Sequence, residues 1–438
     1  MKELVNKLKG DKGIWSFVAL LAMFSFMPVF SASSNLAYIG HGTGNTLGYL
    51  VKHFAHICIG FVIIYWIHNI PYHYFRAISK AGLPVVWLLL LYTLAKGTAI
   101  GGANASRWIQ IPFVGLSFQT SALAAIILFI FVARYLSKTR ENPITFKSSL
   151  WELWTPVFIT LALILPANFS TTALIFAMVI MLTFVGKYPL KYIFSIIGSG
   201  ILFLTFFILL AKAFPDSRFF SRVGTWGSRI ENFTSNKADE DDYQIEKAKI
   251  AIASGQIYGL GPGKSVQKNF LPQSSSDFIY AIIVEEYGLV GGLGVLILYL
   301  LLLFRFVVAS HKANTLFGKL VVIGLGFPMI FQAMINMAVA VELLPVTGQT
   351  LPLISSGGSS IWMTCFGLGI ILSVTKKEEE IAQEKLEKEK REEALQKLID
   401  RELEAGLNAD KELDNSAFDS NNYSITDNSK NPMNAVLK

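Results

Sequence analysis

Residues 278–308 read FIYAIIVEEYGLVGGLGVLILYLLLLFRFVV. A helix needs about 20 mainly apolar residues to cross the hydrocarbon core of a bilayer. This run is longer than one straight crossing requires, and its charges are confined to Glu285, Glu286 and Arg305. We therefore expect a membrane helix that tilts, breaks near Gly291-Gly292, or begins outside the lipid.

The rest of the chain is similarly apolar. Of its 438 residues, 53% are hydrophobic and 16% are charged, and the mean hydropathy is +0.48. Because a soluble domain carries about 25% charged residues, this composition excludes a soluble enzyme, a nucleic-acid-binding module and a disordered protein. The apolar runs predict an all-α integral membrane protein with about ten spans, at about 14–31, 53–69, 83–99, 118–137, 150–166, 169–186, 191–213, 278–308, 318–340 and 351–375. The first run is long and precedes further spans, so we expect a retained anchor rather than a signal peptide.

The distribution of Lys and Arg predicts the orientation. These residues cluster before the first span and after spans two, four, six and eight, whereas the alternate short connections hold only Lys52, Lys96 and Arg107. Positive residues favour the cytoplasmic side of a membrane, so both termini are expected in the cytoplasm. The formal net charge of +7 thus reflects topology and not nucleic-acid binding.

Two polar segments flank or interrupt the predicted membrane domain, residues 1–375. Residues 214–277 form a long connection expected outside the cytoplasm, with a short surface helix after its acidic start at 239–242. Residues 376–438 form a charged cytoplasmic tail, expected to be partly helical and then disordered; a partner-binding segment is the alternative.

Polar residues concentrate on the predicted outer side, in the segments 101–112, 222–277 and 347–360. Polar groups at membrane depth are costly and usually mark a functional site. Three distant segments on one membrane face therefore predict a single outward cavity.

The motifs in these segments resemble the SEDS family (shape, elongation, division and sporulation). The resemblance is carried by Arg107-Trp108-Ile109, Tyr243-Gln244, Gln267-Lys268, Leu271-Pro272, Asp277-Phe278-Ile279, Glu285-Glu286-Tyr287-Gly288-Leu289, Leu351-Pro352-Leu353-Ile354-Ser355 and Gly357-Gly358-Ser359-Ser360. It covers about residues 1–375 and is closer to the division branch, FtsW, than to the elongation branch, RodA. It implies ten helices and a peptidoglycan glycosyltransferase that polymerises lipid II at the bacterial inner membrane. It also implies action at the division site with a class B penicillin-binding protein and other division proteins.

The reaction that the resemblance implies needs one base. A sugar hydroxyl attacks an anomeric carbon while lipid pyrophosphate leaves, and an acidic leaving group needs no strong general acid. Asp277 lies where the long connection enters span eight, and it matches the catalytic Asp of the family. The alternative is that Asp277 only caps the helix, since Asp is a favoured N-cap residue.

Further substrate-binding candidates come from the same motifs. They are Arg107, Trp108, Gln267, Lys268, Glu285, Asn336, Ser355 and Ser359. The alternatives are solvated loop cations, an interfacial aromatic anchor, and packing or hydrogen bonding between helices. On an unbroken helix Glu285 is offset about 80° from Asp277 and Glu286 about 180°, so Glu285 is expected in the cavity and Glu286 against a neighbouring helix.

No cofactor is certain from the sequence. The resemblance is compatible with a divalent cation, Mg²⁺ or Mn²⁺, bound with the substrate pyrophosphate, but no cluster of protein ligands is evident. His53 and His56 are expected to be structural.

The chain departs from the family at six polar positions. His53 stands where relatives often have Arg, and Gln273 and Ser275 replace the usual Glu and His before Asp277. Ala122, Ala125 and Asn168 stand where relatives usually have Glu, Lys and Asp. These departures keep open a division scaffold that has lost catalysis. A lipid II flippase is a further alternative, which would need a polar pathway across the whole bilayer.

Overall fold

The computed structural model describes residues 9–41, 46–97, 108–110, 117–140, 144–214, 240–423, and Gly224 and Gly227. Within these ranges, the regular elements are helices and one pair of short strands. The helices are α1 (Lys12–His41), α2 (Thr46–His68), α3 (Tyr74–Lys96), α4 (Thr120–Thr139), α5 (Phe146–Ser149), α6 (Thr155–Ile164), α7 (Phe169–Val185), α8 (Leu190–Ala213), α9 (Glu240–Gly255), α10 (Ile279–Lys312), α11 (Leu316–Ala340) and α12 (Gly358–Tyr423). A π-helical turn, Leu150–Trp154, precedes α6, and a 3₁₀ turn, Gln267–Asn269, lies between α9 and α10. Strands β1 (Trp108–Gln110) and β2 (Ser117–Gln119) pair antiparallel, with Trp108 opposite Gln119.

The helical membrane fold is confirmed. Within the described ranges, eight helices are long and apolar enough to cross a membrane: α1, α2, α3, α4, α8, α10, α11 and α12. The predicted spans at 150–166 and 169–186 fall on the shorter helices α6 and α7, so the number of ten crossings stays a prediction.

Several predicted span boundaries are wrong, including the starts of the third and tenth spans. The third span begins in a helix that starts at Tyr74, nine residues before position 83, and continues through Pro84. The tenth span starts as a helix only at Gly358, because Leu353 has a positive φ of 67° and the segment 351–357 forms turns.

Helix α10 is broken at Gly288, three residues before the predicted glycine pair. Gly288 has φ 67° and ψ −169°, a conformation that glycine adopts without the steric cost of a side chain. The break frees backbone groups on both sides, and the segment after α9 satisfies them. Four bonds join the two segments: Leu260 N to Glu285 O (2.9 Å), Gly261 N to Glu286 O (2.9 Å), Leu289 N to Gln256 O (2.8 Å) and Val290 N to Ile257 O (3.2 Å).

The ordered part of the long connection packs directly on α10. Helix α9 has the acidic start that the sequence predicts, and its Ala248 and Ala251 are fully buried. At its end, a Cβ added to Gly255 would lie 2.0 Å from the carbonyl oxygen of Val284. This close approach fixes the connection against the helix that follows Asp277.

Helix α11 lies in the interior of the bundle and packs against α10, α4 and α7. Its residues Val322, Ala333 and Ala340 have no exposed surface. The first residues of the membrane bundle are fixed by Asp11, which precedes α1. Its carboxylate accepts a hydrogen bond from Ile14 N (3.0 Å) and forms an ion pair with Arg305 of α10, while its N–H donates to Thr375 of α12 (3.1 Å).

We expect Asp11→Ala to lower the free energy of unfolding by about 2–3 kcal/mol, because it removes a helix cap and a charged hydrogen bond together. Thermal or denaturant unfolding of the purified protein in detergent measures this loss. Glu342→Gln is the matched control, since it breaks the exposed pair with Lys249 and should cost less than about 1 kcal/mol. Equal losses in both variants would contradict a role for Asp11 as a link between helices.

The chain divides into two compact units, Met1–Glu378 and Glu379–Lys438. The second unit is helical up to Tyr423, with exposed Leu386, Leu395 and Ile399, which fits a solvated charged helix. The end of the tail predicted to be disordered lies outside the described residues.

Candidate active site

Asp277 lies at the end of the long connection, two residues before α10, and is partly exposed. The residue at the N-cap position of α10 is Phe278. The capping alternative for Asp277 therefore does not match the helix boundary, because Asp277 precedes the N-cap position by one residue.

The backbone before Asp277 is held by the turn that precedes α12. Ser356 N donates to Ser275 O (2.8 Å), and Ser355 Oγ donates to Ser276 O (2.6 Å). The same Ser355 hydroxyl accepts a hydrogen bond from Leu351 N (2.7 Å), so it connects the turn internally as well. Two of the three predicted polar segments thus meet at Asp277, and Ser355 acts there as a brace between them.

Asn336 of α11 holds the backbone of Asp277 itself. Its Nδ2 donates to Asp277 O (2.7 Å) and to Gln349 O (2.7 Å), and the residue is 1% exposed. Asn336 was predicted to contact substrate. The structure places it between two main-chain carbonyls, where it positions Asp277 from the side of the bundle interior.

We expect Asn336→Ala to lower kcat for the reaction at Asp277 by up to about a hundredfold, because small misplacements of a reacting group have effects of this size. KM should change much less if Asn336 positions the carboxylate and does not bind substrate. Steady-state kinetics of the purified variant separates the two parameters. A large rise in KM with unchanged kcat would instead favour direct contact with substrate.

Glu285 is fully buried and holds the segment that precedes Asp277 in the chain. Its carboxylate accepts hydrogen bonds from the Ser265 hydroxyl, from Val266 N (2.9 Å) and from Gln267 N (3.2 Å to Oε1). These donors fold the loop around the carboxylate, so Glu285 faces the loop 265–267. Its predicted contact with substrate stays a prediction, whereas its contact with the loop is observed.

Glu286 joins the loop to helix α1. Its carboxylate accepts hydrogen bonds from the Ser31 hydroxyl and from Ser265 N (3.3 Å), which confirms the predicted pairing with a neighbouring helix. Lys268 lies in the same cluster, where its Nζ donates to Ser31 Oγ (3.2 Å) and Gly263 O (2.9 Å). Sequence reasoning missed Ser31, although it is one of the few hydroxyl groups near the end of the first apolar run.

The other predicted residues are placed as follows. Gln267 is half-buried in the 3₁₀ turn, and Trp108 is half-buried in β1, next to α3. Ser359 is buried in the first turn of α12. Arg107 lies outside the described residues.

Asn168 caps α7, with its Oδ1 accepting a hydrogen bond from Thr171 N (3.2 Å). Asn is as good an N-cap residue as Asp, so the side chain has a structural role here. Ala122 and Ala125 are half-buried near the start of α4. Nothing in the structure explains the absence of charge at these two positions.

A comparison with protein-family models matches residues 11–380 to the FtsW/RodA/SpoVE family, described as cell cycle proteins. The probable peptidoglycan glycosyltransferase FtsW of Nitrosomonas europaea is 32% identical over 364 residues, covering 82% of this chain and 91% of the relative. The stage V sporulation protein E of Bacillus subtilis is 27% identical over 362 residues, covering 82% and 94%.

Solved structures share the fold. A chain from a peptidoglycan synthase complex that coordinates polymerization and crosslinking superposes with a TM-score of 0.65 at 23% identity, covering 84% of this chain and 98% of that chain. RodA of Thermus thermophilus superposes with a TM-score of 0.61 at 23% identity, covering 85% and 99%. The resemblance read from the motifs is confirmed by the family match across most of the chain, and the protein belongs to the FtsW/RodA/SpoVE family.

Proposed function

We propose that this protein is a peptidoglycan glycosyltransferase that polymerises lipid II into glycan strands during septal cell-wall synthesis. The observation that carries the proposal is the fixed position of Asp277. Its carbonyl is held by Asn336, and the two residues before it are held by Ser355 and Ser356. A partly exposed carboxylate on a rigid backbone is suited to act as a general base.

In this reaction Asp277 takes the proton from a hydroxyl of the acceptor sugar. The oxygen forms a bond with the anomeric carbon of the donor, and the bond from that carbon to the pyrophosphate oxygen breaks. Polyprenyl pyrophosphate leaves with the electron pair, and cations stabilise the charge that develops on it. Lys268 and Arg107 are the residues that we assign to this stabilisation.

Any metal ion at this site would rely mainly on the substrate for its ligands. The described residues contain no group of three or more His, Cys, Asp or Glu side chains that could hold a metal ion. We propose that a divalent cation, Mg²⁺ or Mn²⁺, would take its ligands mainly from the pyrophosphate of lipid II.

The proposed location is the bacterial inner membrane at the division site, with both termini in the cytoplasm. The eight long apolar helices and the FtsW relatives support a membrane-embedded protein. The similarity to a chain of a peptidoglycan synthase complex supports a transpeptidase partner, which we assign to the class B penicillin-binding proteins.

The proposal is tested with the purified full chain, with and without a class B penicillin-binding protein, and labelled lipid II in detergent and in liposomes. Glycan ladders on a gel are the expected result. Movement of lipid II across liposomes without ladders would identify a flippase and overturn the proposal. If neither glycan ladders nor movement of lipid II is observed, the protein is a scaffold, and the proposal is overturned as well.

A further inference from the structure

Tyr299 is a fully buried tyrosine in α10, about three turns after the break at Gly288. It carries the only polar side chain in the run 293–304. Its hydroxyl donates a hydrogen bond to the carbonyl oxygen of Pro352, which is buried in the turn before α12. Buried polar groups need such partners, so the bond satisfies both groups. The mechanism proposed above assigns no role to Tyr299.

The bond from Tyr299 lies directly beside a strained residue. Leu353, which follows Pro352, has a φ of 67°. This left-handed conformation is unfavourable for a residue with a side chain, and it persists only where surrounding contacts hold the backbone. The Pro352 carbonyl belongs to the peptide group that precedes Leu353. The Tyr299 hydroxyl therefore holds one side of the strained backbone in place, in addition to satisfying a buried carbonyl.

Helix α11 holds the chain just before this turn. Gln332 Nε2 donates to Thr350 O (2.9 Å). Asn336 Nδ2 donates to Gln349 O (2.7 Å). Residues 349 and 350 are thus anchored on α11, whereas residue 352 is anchored on α10 through Tyr299.

The far end of the turn holds the backbone before Asp277. Pro352 lies between Leu351 and Ser355, which bond to each other twice: Leu351 N to Ser355 Oγ (2.7 Å) and Ser355 N to Leu351 O (2.8 Å). The Ser355 hydroxyl donates in turn to Ser276 O (2.6 Å), one residue before Asp277. A shift of Pro352 would therefore move Ser355, and with it the segment that carries Asp277.

We infer that Tyr299 is a positioning residue for Asp277 and acts through the turn before α12. The second half of the broken helix holds Pro352, and the turn holds the backbone from which the first half begins. The inference rests on the proposed function for the reaction that Asp277 carries out. The alternative is that Tyr299 contributes only to the stability of the bundle.

Tyr299→Phe removes the hydroxyl and keeps the ring that fills the core. We expect kcat for glycan-strand formation to fall about tenfold and KM to stay within about twofold of the wild-type value, because a small displacement of a reacting group affects turnover more than binding. Steady-state kinetics of the purified full chain with labelled lipid II measures both parameters. Amide hydrogen exchange should become faster in residues 351–357 and 274–278, since these segments lose their anchor on α10.

Tyr72→Phe is the matched control. The buried Tyr72 hydroxyl bonds to Thr315 Oγ1 (2.8 Å), and Thr315 caps the start of α11, about 30 Å along that helix from Asn336. The same substitution there should lower thermal stability to a similar extent but leave kcat within about twofold of the wild-type value. An equal fall in kcat in both variants would show that Tyr299 contributes only stability, and it would overturn the inference.

A double variant tests the route from Tyr299 to Asp277. If Tyr299 acts through Ser355, adding Tyr299→Phe to Ser355→Ala should lower kcat little further, because residues in one network have non-additive effects. Losses that multiply in the double variant would show that the two residues act independently, which contradicts the inferred route.

Thermal unfolding and gel filtration show whether each variant is folded. If Tyr299→Phe cannot be obtained folded, hydrogen exchange of the wild type decides: slow exchange in residues 351–357 supports an anchored turn, and rapid exchange there overturns the inference. A wild type without glycan ladders would overturn the proposed function. Ladders from the wild type together with an unchanged kcat in folded Tyr299→Phe would overturn this inference alone.

Discussion

Lipid II polymerisation by an Asp277→Ala variant is expected to fall about 10²–10⁴-fold below that of the wild type, the usual contribution of a positioned general base. The variant should remain folded. The contacts that hold this segment use the Asp277 carbonyl and the carbonyls of Ser275 and Ser276, and these main-chain atoms remain after the substitution. Asp277→Asn should lose activity similarly, because it keeps the shape of the side chain but removes its basicity.

The matched control is Ser276→Ala, one residue earlier. The Ser276 hydroxyl is partly exposed and donates only to Gln273 within the same turn among the described contacts, so its removal should leave polymerisation nearly unchanged. Formation of glycan ladders is measured for all three variants with the same amount of folded protein. Normal ladders from both Asp277 variants would refute the assignment of this residue as the base and remove the central support for the proposed mechanism.

The membrane architecture could be predicted from the sequence because apolar runs of membrane length are a strong local signal. The break in α10 could be predicted only in outline. A glycine pair at 291–292 is the more conspicuous sequence feature, but the break occurs at Gly288. Its position is set by the backbone of residues 256–261, which is distant in the chain and pairs with both sides of the break.

The candidate site shows the same division between local and long-range information. The position of Asp277 followed from the composition change at the start of the apolar run, and its proposed role from the motifs. The partners of the neighbouring acids required tertiary contacts. The angular offset of Glu286 from Asp277 correctly predicted that Glu286 contacts a neighbouring helix. The identity of its partner, Ser31, depends on how α1 packs. The hydrogen bonds that Glu285 accepts from residues 265–267 depend on the fold of a loop. That fold leaves no periodic pattern in the sequence.

Gly288→Ala should have the largest effect on stability, lowering the free energy of unfolding by about 3–5 kcal/mol and also reducing polymerisation strongly. An alanine at φ 67° is strained, and its Cβ would lie 2.2 Å from the carbonyl oxygen of Ile257. Backbone atoms cannot rotate away as a flexible side chain can. The four hydrogen bonds between α10 and residues 256–261 would therefore be lost together.

Unfolding of the Gly288→Ala variant should begin in the loop at residues 256–270, because the backbone pairing with α10 fixes the segment that carries Ser265 and Lys268. Limited proteolysis of the purified variant should cut within residues 256–270 before it cuts the membrane helices, and thermal unfolding should start at a lower temperature. Gly294→Ala is the matched control, since among the described residues no atom lies within 4 Å of its added Cβ. Because that glycine is in the interior of the second half of α10, alanine there should be neutral or stabilising. If Gly288→Ala were as stable and as active as Gly294→Ala, the pairing of the broken helix with the loop would not be what positions the loop beside the site.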